Sequence, residues 1–223
     1  MWDLAEALSR FNRTEPDLLF RDAFGHAESR LQLASNFRER IEETAGLTDI
    51  PKGAWWATEY SFNSLAGALL LYAEGESAIE RATPNRVKES LRALAENGRE
   101  DVDFVVSYDN VLILIEAKAY TSYKNKQMAS KLARLKLVYD FYMALPDSRE
   151  PRVSFHFLLT SPKTPQKLEA EWPSWACKGG KRPPWMPMQN TIPQEGVLRV
   201  TRCDEKGKTT SKGKHWRVTT KAR

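Results

Sequence analysis

Two adjacent runs of β-forming residues constrain the fold of this chain more than any other feature. The runs, Val102–Tyr108 and Val111–Ala119, are rich in Val, Ile, Phe and Tyr, as strands usually are. Asp109-Asn110 between them has the length and residue type of a two-residue turn. The segment VLILI is apolar at consecutive positions, which is typical of a strand in the middle of a sheet. We therefore predict a hairpin inside a larger sheet.

Helical spacing of apolar residues predicts two long helices beside these strands. The first is expected over Ala54–Ala73, and the second over Lys124–Leu145, where Pro146 ends it. Another strand is expected at Val153–Leu159. The alternation of helices and strands predicts an α/β fold.

The remaining segments predict additions to one domain. We expect a helical N-terminal extension over residues 1–50 and the core over residues 51–160. Residues 161–223 hold a loop rich in Pro and Trp and then a basic segment, both expected to pack on the core. The tryptophans of this loop are expected to serve mainly in packing. A last hairpin is expected from Val197–Arg202 and His215–Thr219, on either side of a lysine-rich turn.

The basic character of the chain comes from its C-terminal end. The net charge is +5, but residues 199–223 alone carry +7, so the first 198 residues sum to −2. A concentrated basic segment favours contact with a nucleic-acid backbone, and a solvated tail is the alternative.

The sequence shows no membrane-spanning stretch, no signal peptide and no disulfide framework, and we therefore expect a cytoplasmic protein. The longest apolar stretch, Leu65–Ala73, is too short to span a bilayer, so no membrane partner is expected. The first residues lack the pattern of a signal peptide. Two isolated cysteines, Cys177 and Cys203, exclude a disulfide framework and suit a reducing, cytoplasmic location.

The strand VLILIEAKAY ends in Glu116-Ala117-Lys118, a Glu-x-Lys triplet that occurs once in the chain. The two-residue period of a strand puts Glu116 and Lys118 on one face with Leu112 and Leu114. Charges that follow a buried apolar run are costly to desolvate unless a partner is present. The triplet is therefore the best candidate for a functional site.

The turn at Asp109-Asn110 brings a second acid to the triplet. It pairs Tyr108 with Val111 and consequently Asp103 with Glu116, with Cβ atoms about 5 Å apart. Two carboxylates at that distance repel unless a proton or a cation lies between them. Magnesium prefers oxygen ligands, so we predict a magnesium site. The alternative is a surface hairpin in which Lys118 neutralises both acids, and a slipped register would make Asp101 the next candidate.

Asp103 and Glu116-x-Lys118, separated by twelve residues on consecutive strands before a helix, resemble the motif of the PD-(D/E)xK nuclease superfamily. Val102 stands where the motif has its proline. The resemblance implies a restriction-endonuclease-like αβββαβ core, a mixed central sheet flanked by helices. It also implies a nuclease that uses Mg²⁺, or Mn²⁺ in its place, to hydrolyse DNA in restriction, repair, mobile-element or defence processes, with RNA left open.

A closer similarity extends over about residues 53–145. It runs through Gly53-x-Trp55, Glu59-Tyr60-x-Phe62, Asn97-Gly98, Val102-Asp103, Asp109-Asn110-x-Leu112 and Ile115-Glu116-x-Lys118. These are similar to the nuclease domains of CRISPR-associated effectors that cyclic oligonucleotides activate. Only some fifty residues precede this region, so we expect no sensor domain and no control by a cyclic nucleotide.

The resemblance implies a role for each matched residue. Its metal ligands would be Asp103, Glu116, the carbonyl of Ala117 and, directly or through water, Glu59 on the first helix. Lys118 would orient or deprotonate the attacking water. Glu28 is the substitute for Glu59 if the first core helix covers residues 26–45.

Further residues are candidates for contacts with nucleic acid: Gln127, Lys124, Lys126, Lys131, Lys206, Lys208, Lys212 and Lys214. The alternatives to a nuclease are an inactive nucleic-acid-binding module that retains the nuclease fold and an assembly protein with a basic tail. A homodimer also remains open at this point.

Overall fold

The computed structural model describes residues 2–11, 19, 32–81, 101–118, 123, 125–146, 152–165, 168, 171–189 and 197–221, with only the backbone at 125–127, 197 and 221. The chain forms two compact units, residues 1–188 and residues 189–223. The first unit holds a five-stranded sheet and the helices that pack on it, and the second unit holds a two-stranded hairpin.

The sheet of the first unit is mixed, and its strands lie in chain order. They are β1 (Trp55–Ser61), β2 (Asp101–Tyr108), β3 (Val111–Ala117), β4 (Ser154–Ser161) and β5 (Trp185–Pro187). Antiparallel pairing joins β1 to β2 and β2 to β3, whereas β3, β4 and β5 run parallel. A mixed sheet of this kind confirms the predicted α/β class.

The register of the central hairpin is the predicted one. Tyr108 pairs with Val111, and the pairing continues to Phe104 with Ile115. Asp109 in the turn has a positive φ of 47°, a conformation that Asp and Asn adopt more readily than most residues. Extending this register by one residue sets Asp103 opposite Glu116, as the sequence predicts.

Within the described residues, four α-helices cover the two faces of the sheet: α1 (Leu4–Phe11), α2 (Ser35–Ala45), α3 (Phe62–Glu74) and α4 (Asn125–Met143). The core that α1, α3 and α4 share contains Leu112 and Leu114 of β3. The opposite core contains Ile41 of α2, together with Ile113 and Ile115. The alternating side chains of β3 therefore enter two cores, which explains why this strand is apolar at consecutive positions.

The helix predicted over Ala54–Ala73 is wrong in its first part. Residues Trp55–Ser61 form the edge strand β1, and the helix begins at Phe62, where the Ser61 hydroxyl caps it by accepting the N–H of Ser64. Trp55 and Ala57 are buried with the two-residue period of a strand. Glu59 interrupts that period with a positive φ of 50°, after which Tyr60 is again buried. The aromatic content of this segment suits a strand better than a helix.

Tryptophans of the Pro/Trp-rich loop pack inside the first unit. Trp175 stacks on Tyr139 of α4, with ring centroids 5.0 Å apart, and Trp172 stacks on Phe157 of β4 at 5.7 Å. These rings are therefore used in packing.

The second unit is the predicted C-terminal hairpin, formed by β6 (Val197–Cys203) and β7 (His215–Lys221). Throughout the described ranges of the chain, no helix combines the length and apolar character needed to cross a lipid bilayer.

Candidate functional site

Asp103 of β2 and Glu116 of β3 converge on one buried cation, the ammonium group of Lys131 on α4. Lys131 Nζ lies 2.6 Å from Oε2 of Glu116 and 3.4 Å from Oδ1 of Asp103. It also donates a hydrogen bond to the carbonyl of Asp101 at 3.0 Å. The two acids therefore face the α4 side of the sheet, and a positive charge of the chain itself offsets their repulsion.

A second lysine pairs with the other carboxylate oxygen of Glu116. Lys118 Nζ lies 3.1 Å from Oε1 of Glu116, so each carboxylate oxygen has its own ammonium partner. The backbone N–H of Lys118 donates to the carbonyl of Thr160 at 2.9 Å, which fixes the end of β3 against β4. The Glu-x-Lys triplet is thus anchored where the apolar strand ends.

The charged groups of Glu116 and Lys131 are buried, and burial shifts their pKa values. Glu116 is 1% exposed and Lys131 is 7% exposed. Loss of water raises the pKa of Glu116, and hydrogen bonding to Lys131 opposes that rise but does not cancel it, so the net shift of that pKa is upward. Burial alone would lower the pKa of Lys131, but Glu116 and Asp103 outweigh it, so the net shift of that pKa is upward. Since both oxygens of Glu116 accept from ammonium groups, we assign Glu116 as ionised and Lys131 as protonated at neutral pH.

Asp103 provides the open side of the site. Its side chain is 34% exposed, whereas that of Glu116 is 2% exposed. Oδ2 of Asp103 accepts the backbone N–H of Ala117 at 2.7 Å, which holds the carboxylate in place across the two strands. A group that approaches from solvent therefore meets Asp103 before it meets Glu116.

The hydroxyl of Tyr123 contacts the ends of both β3 and β4 next to the site. Its hydroxyl lies 2.9 Å from the carbonyl oxygen of Glu116 and 2.8 Å from that of Thr160. Burial raises the pKa of this phenol, and the charge of Glu116 raises it further, so the hydroxyl remains a donor. No spacing in the sequence distinguishes Tyr123 from the neighbouring tyrosines, and its role follows only from the fold.

Glu59 lies on the edge strand β1 rather than on a helix. Thr58 pairs with Phe104 and Tyr60 with Val102, so Glu59 is opposite Asp103 in register. Its side chain is exposed. Burial is the main cause that raises the pKa of Asp101, and the charge of Glu59 is the next. Glu59 therefore borders the site electrostatically.

The other candidates fall in three groups. Lys131 lies inside the site instead of on a surface that could follow phosphates. Exposed positions on the C-terminal hairpin are occupied by Lys206, Lys208, Lys212 and Lys214. Four candidates lie outside the described side chains: Glu28, Lys124, Lys126 and Gln127.

The donor chemistry of the site fits a hard divalent cation, with one condition. Asp103 and Glu116 supply carboxylate oxygens, the ligands that magnesium prefers. Their shared position is taken by Lys131 Nζ, so a metal ion would have to replace that ammonium group. Among the side chains that the structure describes, no three His, Cys, Asp or Glu residues gather as a ready metal cluster.

Comparison with protein-family models finds no match for this chain, and neither do comparisons with curated proteins and with solved structures.

Proposed function

We propose that this protein is a metal-dependent nuclease that hydrolyses phosphodiester bonds, with DNA as the favoured substrate. The observation that carries the proposal is the convergence of Asp103 and Glu116 on one cation, with Lys118 bonded to the same glutamate. Two acids and a lysine on adjacent strand ends are a costly arrangement for stability alone. Such costly clusters are frequent at functional sites.

The element order around the site supports the same proposal. Three antiparallel strands, a helix and a parallel fourth strand follow one another from β1 to β4. This is the order that the PD-(D/E)xK resemblance implies, except that α3 stands between β1 and β2. The acids lie on the second and third strands of that order.

In the proposed enzyme, Asp103, Glu116 and the carbonyl of Ala117 would hold Mg²⁺ or Mn²⁺. When bound, the ion supplies Lewis-acid chemistry, which polarises a phosphoryl oxygen and acidifies water. Asp103 is suited to meet the ion first because its side chain is partly exposed. Its hydrogen bond from Ala117 keeps the carboxylate oriented before any ligand arrives.

Lys118 would act on the attacking water and on the phosphate. Its side chain is 16% exposed, so Nζ is close to solvent while it still contacts Glu116. From that position the Nζ ammonium group can orient a water molecule and offset negative charge that develops on the phosphoryl group.

A second candidate function follows from Lys131. Its ammonium group contacts both acids and completes their neutralisation without a metal ion. This observation favours a nucleic-acid-binding module that retains the fold and has lost turnover.

Incubation with supercoiled plasmid tests the two candidates against each other. The enzyme should relax or linearise plasmid in Mg²⁺ or Mn²⁺ and stop in EDTA, and Asp103→Asn should remove the activity. Plasmid and RNA that stay intact in both metals, while the wild-type protein still binds them, would favour the binding module.

A further inference from the structure

The C-terminal hairpin exposes an apolar face. Val200 pairs with Val218 and Arg202 with Trp216, so these side chains lie on one face together with Leu198. Large exposed fractions characterise Leu198 (71%), Val200 (58%), Trp216 (65%) and Val218 (60%). Four large apolar side chains exposed on one face of a short hairpin form a candidate interaction surface.

The rest of the hairpin is cationic. Arg199 and Arg217 lie on the opposite face, and the segment between the strands carries four exposed lysines: Lys206, Lys208, Lys212 and Lys214. Residues 197–221 hold eight Lys and Arg and two acids, a net charge of +6. The apolar face is therefore bordered by charges that suit a polyanion.

Arg202 and Trp216 form a flat platform on the apolar face. The guanidinium carbon of Arg202 lies 5.2 Å from the centre of the indole ring. An indole that carries a cation on one side and is widely exposed is a good stacking surface for a nucleobase.

We propose that this hairpin binds single-stranded nucleic acid. Bases would stack on Trp216 and lie along the valines, while the lysines and arginines contact phosphates. The proposal adds to the proposed function a separate surface that binds single strands. Its link to cleavage rests on the proposed nuclease function, whereas binding of single strands by the hairpin does not.

The chemistry of the face favours a single strand over a duplex. A duplex keeps its base faces stacked inside and presents phosphates and polar groove edges. Such a partner would leave Leu198, Val200 and Val218 without apolar surface to bury. A single strand offers base faces and phosphates at once.

Charge and size argue against a second copy of the chain. Two hairpins face to face would bring two charges of +6 together. Each face is roughly 24 Å by 10 Å, about 240 Å², which is small beside the roughly 800 Å² per partner of a stable interface.

Binding of labelled oligonucleotides in EDTA tests this proposal separately from cleavage. Fluorescence anisotropy would compare the binding of a 20-nucleotide single strand with that of its duplex, using the chain of residues 1–223. Trp216→Ala should weaken single-strand binding about tenfold, because stacking of one base contributes about 1–3 kcal/mol. Duplex binding should stay within twofold, and Trp216→Phe should restore most of the affinity.

Two controls accompany that comparison. Ile79 is another exposed apolar residue, 54% exposed, and it lies in the first unit. Ile79→Ala should therefore change neither the single-strand affinity nor the duplex affinity. Replacing the four turn lysines with Gln should flatten the salt dependence by about 0.7 in log–log slope for each lost contact.

A direct optical measurement covers the case in which Trp216→Ala disturbs the hairpin. The emission of Trp216 is the difference between the tryptophan fluorescence of the wild-type protein and that of Trp216→Phe. Oligothymidine should quench this emission. Absence of that quenching, or equal loss of single-strand and duplex binding in Trp216→Ala, would overturn the proposal. So would a Trp216-dependent dimer in analytical ultracentrifugation, which would assign the face to a second copy.

Discussion

Lys131 Nζ of α4 lies 2.6 Å from Oε2 of Glu116 on β3, and both side chains are buried. A cation is therefore present where the two opposed acids require one, and the chain supplies it. The contact links helix α4 to the centre of the sheet through a charge pair. It also means that any divalent ion must compete with an internal ammonium group.

Removal of Lys131 should cost much more stability than removal of an exposed lysine. Lys131→Met leaves Glu116 buried with one cation fewer, so we expect a loss of about 3–5 kcal/mol in the free energy of unfolding. Lys136→Met, on the exposed surface of the same helix, should stay within about 0.5 kcal/mol. Urea denaturation measures both. Adding Glu116→Gln to Lys131→Met should recover part of the loss, and a purely additive double variant would contradict the coupling.

Loss of the internal cation should also favour a metal ion. Lys131→Ala leaves Asp103 and Glu116 with less positive charge between them, so we expect Mn²⁺ to bind at least tenfold more tightly than to the wild-type protein. Electron paramagnetic resonance of free Mn²⁺ measures the affinity. Asp103→Asn in the Lys131→Ala background should reverse the gain. Unchanged Mn²⁺ affinity in Lys131→Ala would show that the two carboxylates are not the ligands.

Tyr123 should contribute through its hydroxyl group. Tyr123→Phe removes the hydroxyl that contacts the buried carbonyls of Glu116 and Thr160, so a loss of about 0.5–1.5 kcal/mol is expected. Tyr139 is the control because its ring stacks on Trp175, and Tyr139→Phe should change stability by less than about 0.5 kcal/mol. Thermal or urea unfolding compares the two variants. Equal stability of Tyr123→Phe and wild type would show that the Tyr123 hydroxyl does not stabilise the fold.

His156 on β4 should make stability depend on pH on the acid side. Burial lowers the pKa of His156, and the nearby charge of Lys178 lowers it further, while Ser154 Oγ lies 3.0 Å from Nε2. The unfolded chain therefore binds this proton more readily than the folded chain. Stability should fall as pH drops below about 6.5, the ordinary value for histidine.

His156→Gln isolates that contribution. The difference in unfolding free energy between wild type and His156→Gln should be larger at pH 7.5 than at pH 5.5, with wild type relatively weaker in acid. A difference that stays constant over this range would mean that His156 titrates normally in the folded protein.

The register of the central hairpin was predictable because the sequence specifies it twice. The turn at Asp109-Asn110 and the apolar run of β3 agree on the pairing, so Asp103 falls opposite Glu116. The strand at Trp55–Ser61 is not predicted because the apolar stretch Leu65–Ala73 gives a strong helical signal, which obscures the two-residue period before Phe62.

The role of Lys131 could not be read from the chain. Met128, Leu132 and Leu135 define the buried stripe of α4, and a lysine beside such a stripe normally points to solvent. Only the fold brings the acids of β2 and β3 under that helix, where burial of the ammonium group becomes favourable. The sequence therefore predicted the acids and their mutual position, but it did not identify the cation that lies between them.

The most direct test of the central claim separates cleavage from binding in Lys118→Ala. If Lys118 acts on water and on the phosphoryl group, this variant should lose at least about a hundredfold in the rate of Mg²⁺- or Mn²⁺-dependent plasmid cleavage. Its affinity for the same DNA in EDTA should change by no more than the loss of one phosphate contact. Lys136→Ala, which removes an exposed lysine of α4, should cleave at the wild-type rate. Cleavage by Lys118→Ala at the wild-type rate would contradict the assignment of this site.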